Sequence, residues 1–322
     1  MKKKAVIGRN LSLGYQKGDL KKEVLEKLNF ELFSGQLTCL LGPNGVGKST
    51  LVKAILGEIQ PWKGSIQLSG KDVHEYSNSD LAKTLSVVLT EPVSPGNMTV
   101  GQLVALGRIP HTGWSGKLSM QDKEVVKKAL ADTKISYLEH ERLSEISDGQ
   151  RQKAMIARAL AQNGQIMILD EPTAHLDLIN RYEIMHLLRE ICQKQEKAIL
   201  VVTHDLEIAM ETADQFWLLT CGLPLISGIP EELVLTGEIN QLLPGDKFHF
   251  DPEKGRIEKK IGSRKWKIEG DPISSFWVEK AMDKSGVPPV SEVIYVEKSP
   301  FSLQYKGILY SSLSDFLSFL LA

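Results

Sequence analysis

A disulfide framework, a cysteine-based metal site and a membrane span all lack the residues they would need in this sequence. Only three cysteines occur, Cys39, Cys192 and Cys221, scattered without metal-ligand spacing, and Cys39 sits inside an apolar run that reads as core. There is thus no disulfide framework, and the usage fits a reducing compartment. No run of about 18 apolar residues exists, so a role at a membrane needs a separate chain that spans it. Charge of neither sign dominates: 39 Lys and Arg stand against 40 Asp and Glu, for a formal net charge of −1. Nothing global therefore draws the chain to nucleic acid. The start, MKKKAVIGRNLSLGY, is basic but has no long apolar stretch and no cleavage site, and does not read as a signal peptide. Internal repeats and low-complexity segments are missing too. What remains is an ordinary globular composition, 42% hydrophobic and 25% charged over 322 residues, enough for one large domain or a domain with a smaller companion.

The chain reads in three stretches. Short strands come first: AVIGRNLSLGY, VLEKLNFELF, QLTCLL, GSIQLSG and TLSVVLT, with a helix over KSTLVKAILGE. From about 92 to 162 strand patterns stop, and helices are predicted over 100–108, 120–133 and 149–162. Strands return at QIMILD (165–170) and AILVVT (198–203), separated by a helix over 180–193. That alternation predicts a parallel sheet covered by helices, with the helical middle inserted into it. Beyond about residue 240 a turn-rich, basic-leaning segment leads into a helix near 273–286, two strands and a closing helix, a small α+β domain. The basic run Arg256–Lys267 reads as a solvated hairpin.

The segment GPNGVGKST fits G-x-x-x-x-G-K-[ST], with Gly42, Gly47, Lys48 and Ser49, between a buried strand and a helix. Its glycines allow positive φ and leave no Cβ in the way, so the main-chain N–H groups along Gly42, Pro43, Asn44, Gly45, Val46, Gly47, Lys48, Ser49 and Thr50, all but Pro43, which has none, can wrap a phosphate. The helix start adds its positive dipole end. Lys48 would reach the β- and γ-phosphates, the Ser49 hydroxyl Mg²⁺, and Thr50 the α-phosphate. A second apolar strand delivers Asp170 and Glu171 to the same sheet edge. Asp170 is placed to hold Mg²⁺ through water, and Glu171 to polarise an attacking water. His204 ends a third such strand, suited either to a structural hydrogen bond or to the γ-phosphate and its water. Ser147 with Gln150 three residues later forms a capping box. The same geometry exposes N–H groups and a hydroxyl that suit a phosphate, and the residues alone leave both readings open.

Taken together these segments resemble the ATP-binding subunits of ABC (ATP-binding cassette) transporters. GPNGVGKST is similar to the Walker A motif, IMILDE to Walker B, ISDGQRQ to the LSGGQ signature, AHLD at 174–177 to the D-loop and His204 to the switch histidine. The motifs stand in family order over about residues 5–235. The resemblance implies a P-loop α/β core with an antiparallel β subdomain and a helical subdomain. It further implies a head-to-tail homodimer in which Ser147, Gly149 and Gln150 of one subunit close on the ATP held by another. Tyr15 fits the family's adenine-stacking aromatic. The stretch MTVGQLVALGRIPHTGW, with Val-x-x-Gly-Arg-x-Pro, and the histidine of PTAHLD resemble the ATPases of iron–siderophore, haem and cobalamin importers. Those work with a permease pair and a substrate-binding protein, so the chain is expected on the cytoplasmic face of the membrane, as a peripheral subunit. Soluble ABC ATPases of DNA or ribosomes carry coiled coils or paired cassettes, which this chain lacks, and exporter ATPases are a further alternative.

Two residues depart from the family pattern. Thr90, followed by Glu91, stands where the family has its Q-loop glutamine, and offers Mg²⁺ one oxygen with a shorter reach. Asp148 replaces the first signature glycine and is expected to face outward. The boundaries expected are an ATPase domain over 1–240 and a C-terminal α+β domain over 241–322, the latter outside the resemblance and read as an appendage that stabilises a dimer.

Overall fold

A computed structural model describes residues 2–18, 20–89, 97–113, 116–243, 245–259 and 266–321. The chain divides into two compact units, Met1–Glu258 and Lys259–Ala322.

The first unit holds two sheets. Strands β1 (Lys4–Lys17) and β2 (Leu20–Phe33) form a long antiparallel pair. After β3 (Leu37–Leu41) and α1 (Lys48–Ile55), strands β4 (Lys63–Leu68) and β5 (Lys71–Asp72) complete a four-stranded sheet in the order β2-β1-β4-β5. This is the antiparallel β subdomain. A helix α2 (Asn78–Thr84) then leads into β6 (Leu85–Val88). The patterning of TLSVVLT predicts that strand over 84–90, and Thr84 is instead the last residue of α2. Thr90 itself lies outside the described residues.

The helical insertion comprises α3 (Val100–Leu106), α4 (Met120–Asp132) and α5 (Asp148–Ala161). Their apolar faces, among them Val100, Leu103, Val104, Val126, Leu130 and Ile156, meet in one buried cluster. The chain then re-enters the core as β7 (Ile166–Asp170), α6 (Leu178–Gln195), β8 (Ala198–Val202), α7 (Leu206–Thr212), β9 (Gln215–Leu218), β10 (Ile226–Gly228) and α8 (Pro230–Leu235). The central sheet runs β10-β9-β3-β8-β7-β6. All its pairings but that of β10 with β9 are parallel. Strands buried on both faces need uninterrupted apolar runs, and LTCLL in β3 and AILVV in β8 are buried at every position.

A short pair, β11 (Phe248–Asp251) and β12 (Arg256–Lys259), follows. Residues 241–258 thus group with the first unit, past the 240/241 boundary expected from sequence. The reason is local: the Asn240 side chain accepts from the Phe250 N–H at 2.8 Å, and Phe250 is buried in the same core as Leu233 and Ile239. Lys254 pairs with Asp251 and Glu258 at 3.0 and 2.9 Å, and Arg256 with Glu258 at 2.9 Å. Residues 260–265 of the basic run lie outside the described residues.

The second unit is α+β. Strands β13 (Ile268–Gly270), β14 (Ile294–Lys298), β15 (Phe301–Tyr305) and β16 (Ile308–Tyr310) form one sheet in that order. Helices α9 (Pro272–Lys284) and α10 (Leu313–Leu321) close over it, with Val278, Met282 and Phe316 buried against Ile294, Val296, Leu303 and Tyr305.

Candidate functional site

Three adjacent parallel strands, β3, β8 and β7, end at one level. Leu40 pairs with Val202, and Asp170 also pairs with Val202. The segments that follow, Gly42–Lys48, Thr203–Asp205 and Glu171–Thr173, therefore emerge side by side at one sheet edge. This is where open α/β sheets take their ligands.

The loop after β3 is shaped by its glycines. Gly47 has φ 113, which strains any residue with a Cβ, and a Cβ there would also press on Leu25 Cδ2 at 2.9 Å. Gly47 also stands at the N-cap of α1 without a side-chain cap, which leaves the first N–H groups of the helix for an outside acceptor. Val46 anchors the loop in the core it shares with Leu11 of β1, Leu28 of β2 and Leu51 of α1, while Pro43, Asn44 and Gly45 are exposed. Lys48 folds back over the loop and its Nζ donates to the carbonyls of Gly42 at 2.7 Å and Pro43 at 3.1 Å. Burial lowers the pKa of this ammonium, against an opposing pull from the Glu171 and Asp170 carboxylates. Asp170 is perturbed in the complementary way: burial and the neighbouring Glu171 charge raise its pKa, and Lys48 opposes them. Both charged forms are thus underserved by their surroundings, the condition that an added anion at Lys48 and an added cation at Asp170 would relieve. Ser49, one residue past Lys48, is exposed and Thr50 is buried. The Tyr15 hydroxyl lies 3.1 Å from Thr50 Oγ1, and its half-exposed ring borders the loop.

Glu171 adopts φ 49, a left-handed conformation that is strained for a non-glycine residue. Its N–H donates to the Val202 carbonyl at 2.9 Å. Both carboxylate oxygens face His204 Nδ1, at 3.0 and 2.9 Å, and His204 is largely exposed. A base and an imidazole thus sit in direct contact beside a lysine-tipped loop, an arrangement suited to orienting water near a phosphoryl group.

Ser147, Gly149 and Gln150 stand apart. Ser147 caps α5: its Oγ accepts from Gln150 N at 3.3 Å, and Gln150 Oε1 accepts from Ser147 N at 2.9 Å. Gln150 Nε2 also donates to Tyr137. Among the described residues, no hydrogen bond links these three to the 42–50 loop. Asp148 is turned to Arg151 Nη1 at 3.0 Å and is exposed, so its carboxylate does face outward. No group of three or more His, Cys, Asp or Glu among the described residues could hold a metal alone. One carboxylate and one hydroxyl beside a phosphate cradle do fit Mg²⁺, which takes few protein ligands and shares phosphate oxygens. Residues the sequence did not single out also belong to this edge. Arg181 donates to the Leu176 carbonyl at 2.8 Å and faces Asp205, and Asn180 binds Asp177. Asp177 three residues before Asn180 is a readable helix cap, but the other contacts are tertiary.

Fold and site together define a P-loop nucleotide-binding ATPase. The family model of ABC transporters matches residues 25–174. An ABC transporter ATP-binding protein of Methanocaldococcus jannaschii is 41% identical over 251 residues, 78% of this chain and 85% of that protein. The iron(3+)-hydroxamate import ATP-binding protein FhuC of Bacillus subtilis is 35% identical, covering 76% of this chain and 87% of its own length. The ferric enterobactin transport ATP-binding protein FepC of Escherichia coli is likewise 35% identical, over 74% of this chain and 86% of its own. Among solved structures, cbiO1 of Clostridium perfringens, part of the transporter complex cbiONQ, superposes with TM-score 0.65 at 29% identity, over 75% of this chain and 96% of that one. The chain belongs to the ABC transporter ATP-binding proteins, ATPases that couple hydrolysis to transport. No helix among the described residues is long and apolar enough to cross a membrane.

Proposed function

We propose that this chain is the ATP-hydrolysing subunit of an ABC importer that drives uptake of an iron–siderophore, haem or cobalamin-type cargo. The observation that carries the reading is the meeting of Lys48, Asp170, Glu171 and His204 at one sheet edge. The iron–siderophore part of that cargo class is supported by the relatives named for iron-hydroxamate and enterobactin transport.

In this reading the Tyr15 ring stacks on adenine, and the main chain of 42–50 with Lys48 grips the triphosphate. Thr50 contacts the α-phosphate, and Ser49 and Asp170, with one oxygen from Thr90, hold Mg²⁺. Held there, Mg²⁺ would supply charge neutralisation to the triphosphate. Glu171 orients the attacking water, and His204 holds the Glu171 carboxylate and faces the γ-phosphate. Ser147, Gly149 and Gln150 reach that phosphate from a second copy in a head-to-tail homodimer. The outward turn of Asp148 toward Arg151 keeps a negative charge off the same phosphate. Closing and reopening of the pair moves partner permease subunits, fed by a substrate-binding protein, with the chain peripheral on the cytoplasmic membrane face and no nucleic-acid partner. The ATPase work belongs to the first unit, and the small C-terminal α+β unit, Lys259–Ala322, stands outside it.

The test is to isolate the tagged full-length chain from native membranes in mild detergent. A polytopic permease should co-purify, and phosphate release by the complex should rise when ferric-siderophore-loaded binding protein is added. Recovery with ribosomes or DNA, and without any membrane-spanning partner, would overturn the importer reading.

A further inference from the structure

We propose that Asn180 and Arg181, on the first turn of α6, are positioning residues that brace the 173–177 turn between the Ser147 helix start and the Glu171–His204 pair. The inference rests on the ATPase reading above and goes beyond it by naming what holds its two halves in register within one chain.

One arm of the brace is Asn180. Its Nδ2 donates to Asp177 Oδ2 at 2.7 Å, and its main-chain N–H donates to Asp177 Oδ1 at 2.9 Å. The amide oxygen lies so close over Gly149 that a Cβ there would sit 2.5 Å from it. The absence of a side chain at Gly149 therefore has a second cause besides access to a phosphate: it seats Asn180. One turn further, Lys153 and Glu183 pair at 2.7 Å and keep α5 and α6 aligned.

The other arm is Arg181. Its Nε donates to the Leu176 carbonyl at 2.8 Å, and its Nη1 stands 3.5 Å from Asp205 Oδ2, on the residue that follows His204. Asp205 is not free to rotate toward it or away, because its other oxygen accepts from Ile208 N at 3.3 Å at the start of α7. At 3.5 Å the contact is an ion pair rather than a good hydrogen bond, so the Leu176 carbonyl is the firmer of the two holds. The near end of the turn is tied as well, since Ala174 N donates to the Glu171 carbonyl at 3.1 Å. A continuous set of contacts thus runs from Gly149 through Asn180, Asp177, Leu176 and Arg181 to Asp205 and His204. A planar guanidinium can hold a carbonyl and a carboxylate at once, which an ammonium does less well. Neither residue is assigned contact with ATP. Their effect is on geometry, and a misplacement near 1 Å in a catalytic constellation costs on the order of 100-fold in rate.

The experiment is a double-mutant cycle on Mg-ATP hydrolysis by the full chain in its complex. Arg181→Ala should lower kcat by about tenfold, a partial misplacement, with KM for ATP within about twofold. In a His204→Ala background the same substitution should change kcat less than about twofold, since the ring it positions is gone. Equal losses in both backgrounds, or a KM that moves with kcat, would overturn the brace. Arg181→Gln, which keeps one donor for the Leu176 carbonyl, serves if the alanine variant does not fold, and the same two outcomes decide. A separate arm needs no turnover. Asn180→Ala should weaken ATP-dependent self-association of the Glu171→Gln chain while leaving ATP binding by the monomer unchanged. Undiminished self-association would overturn the brace. A parent chain that binds ATP but does not hydrolyse it would count against the ATPase reading, and this arm would still judge the brace alone.

Discussion

Replacing Lys48 by methionine separates what the side chain does for folding from what it does for nucleotide. In the free chain its ammonium makes two hydrogen bonds, to Gly42 at 2.7 Å and Pro43 at 3.1 Å. Bonds from a charged donor contribute roughly 1.5–3 kcal/mol each. Against them stands the cost of holding an ammonium where only 8% of the residue is exposed, a penalty of several kcal/mol per buried ion, and burial accordingly lowers its pKa. The two nearly cancel, and methionine fills the same volume, so the nucleotide-free chain should unfold within about 1 kcal/mol of the parent. The phosphates have no such compensation. Losing one charge-assisted contact of about 3 kcal/mol raises Kd for ATP roughly 100-fold. At an ATP concentration 100 times the parent Kd, binding stabilises the parent by about 2.7 kcal/mol and the variant by only about 0.4 kcal/mol. Urea denaturation with and without Mg-ATP reads both numbers. An ATP-dependent stabilisation in Lys48→Met equal to that of the parent would refute the reasoning, as would a loss of several kcal/mol in the free chain.

Other substitutions probe the surroundings of the site. Asp148→Gly removes an exposed pair with Arg151, which is worth less than about 1 kcal/mol, so ATP affinity by equilibrium titration should move less than about fivefold. A rise beyond tenfold would show that the carboxylate does face the phosphate. Gly107→Ala places a methyl against the Arg158 carbonyl and should lower stability by about 1–3 kcal/mol in urea melts without changing ATP affinity. The Ser119 hydroxyl, its N–H and the Arg108 guanidinium hold the Asp122 carboxyl down to about 2, below its unfolded value near 4. The unfolded chain therefore takes up the proton first. The stability this group contributes is complete above about pH 4 and is lost as pH falls toward 2. Asp122→Asn should lose less stability across that window than the parent, and identical acid profiles would contradict the assignment.

The parts of the molecule legible in its sequence are those where one local rule acts alone. LTCLL, IMILD and AILVV are buried on both faces and announce themselves by unbroken apolar runs. The loop after LTCLL announces itself because positive φ and a missing Cβ demand glycine. Short elements did not: α2, α7, α8, β9 and β10 are each seven residues or fewer, too brief to set a period against their flanks. Arg108 was visible only as one letter of a resembling segment. In the fold it is a buried ion pair with Asp122 at 2.9 Å that also donates to the Ala161 carbonyl at 2.7 Å, joining three helices of the insertion. Asn180 and Arg181 escaped for the same reason, because their partners Gly149 and Asp205 are 31 and 24 positions away in the chain. The C-terminal limit of the first unit was also hidden, since Asn240 and Phe250 are joined by a single side-chain bond that no pattern announces.

The most direct test is a crystal structure of the Glu171→Gln chain with ATP and Mg²⁺. The account predicts the γ-phosphate against Lys48 and the N–H groups of the loop, the metal between Ser49 and Asp170, and Ser147 of a second copy on the same phosphate. Nucleotide bound away from Lys48, or a phosphate that no second copy approaches, would contradict it.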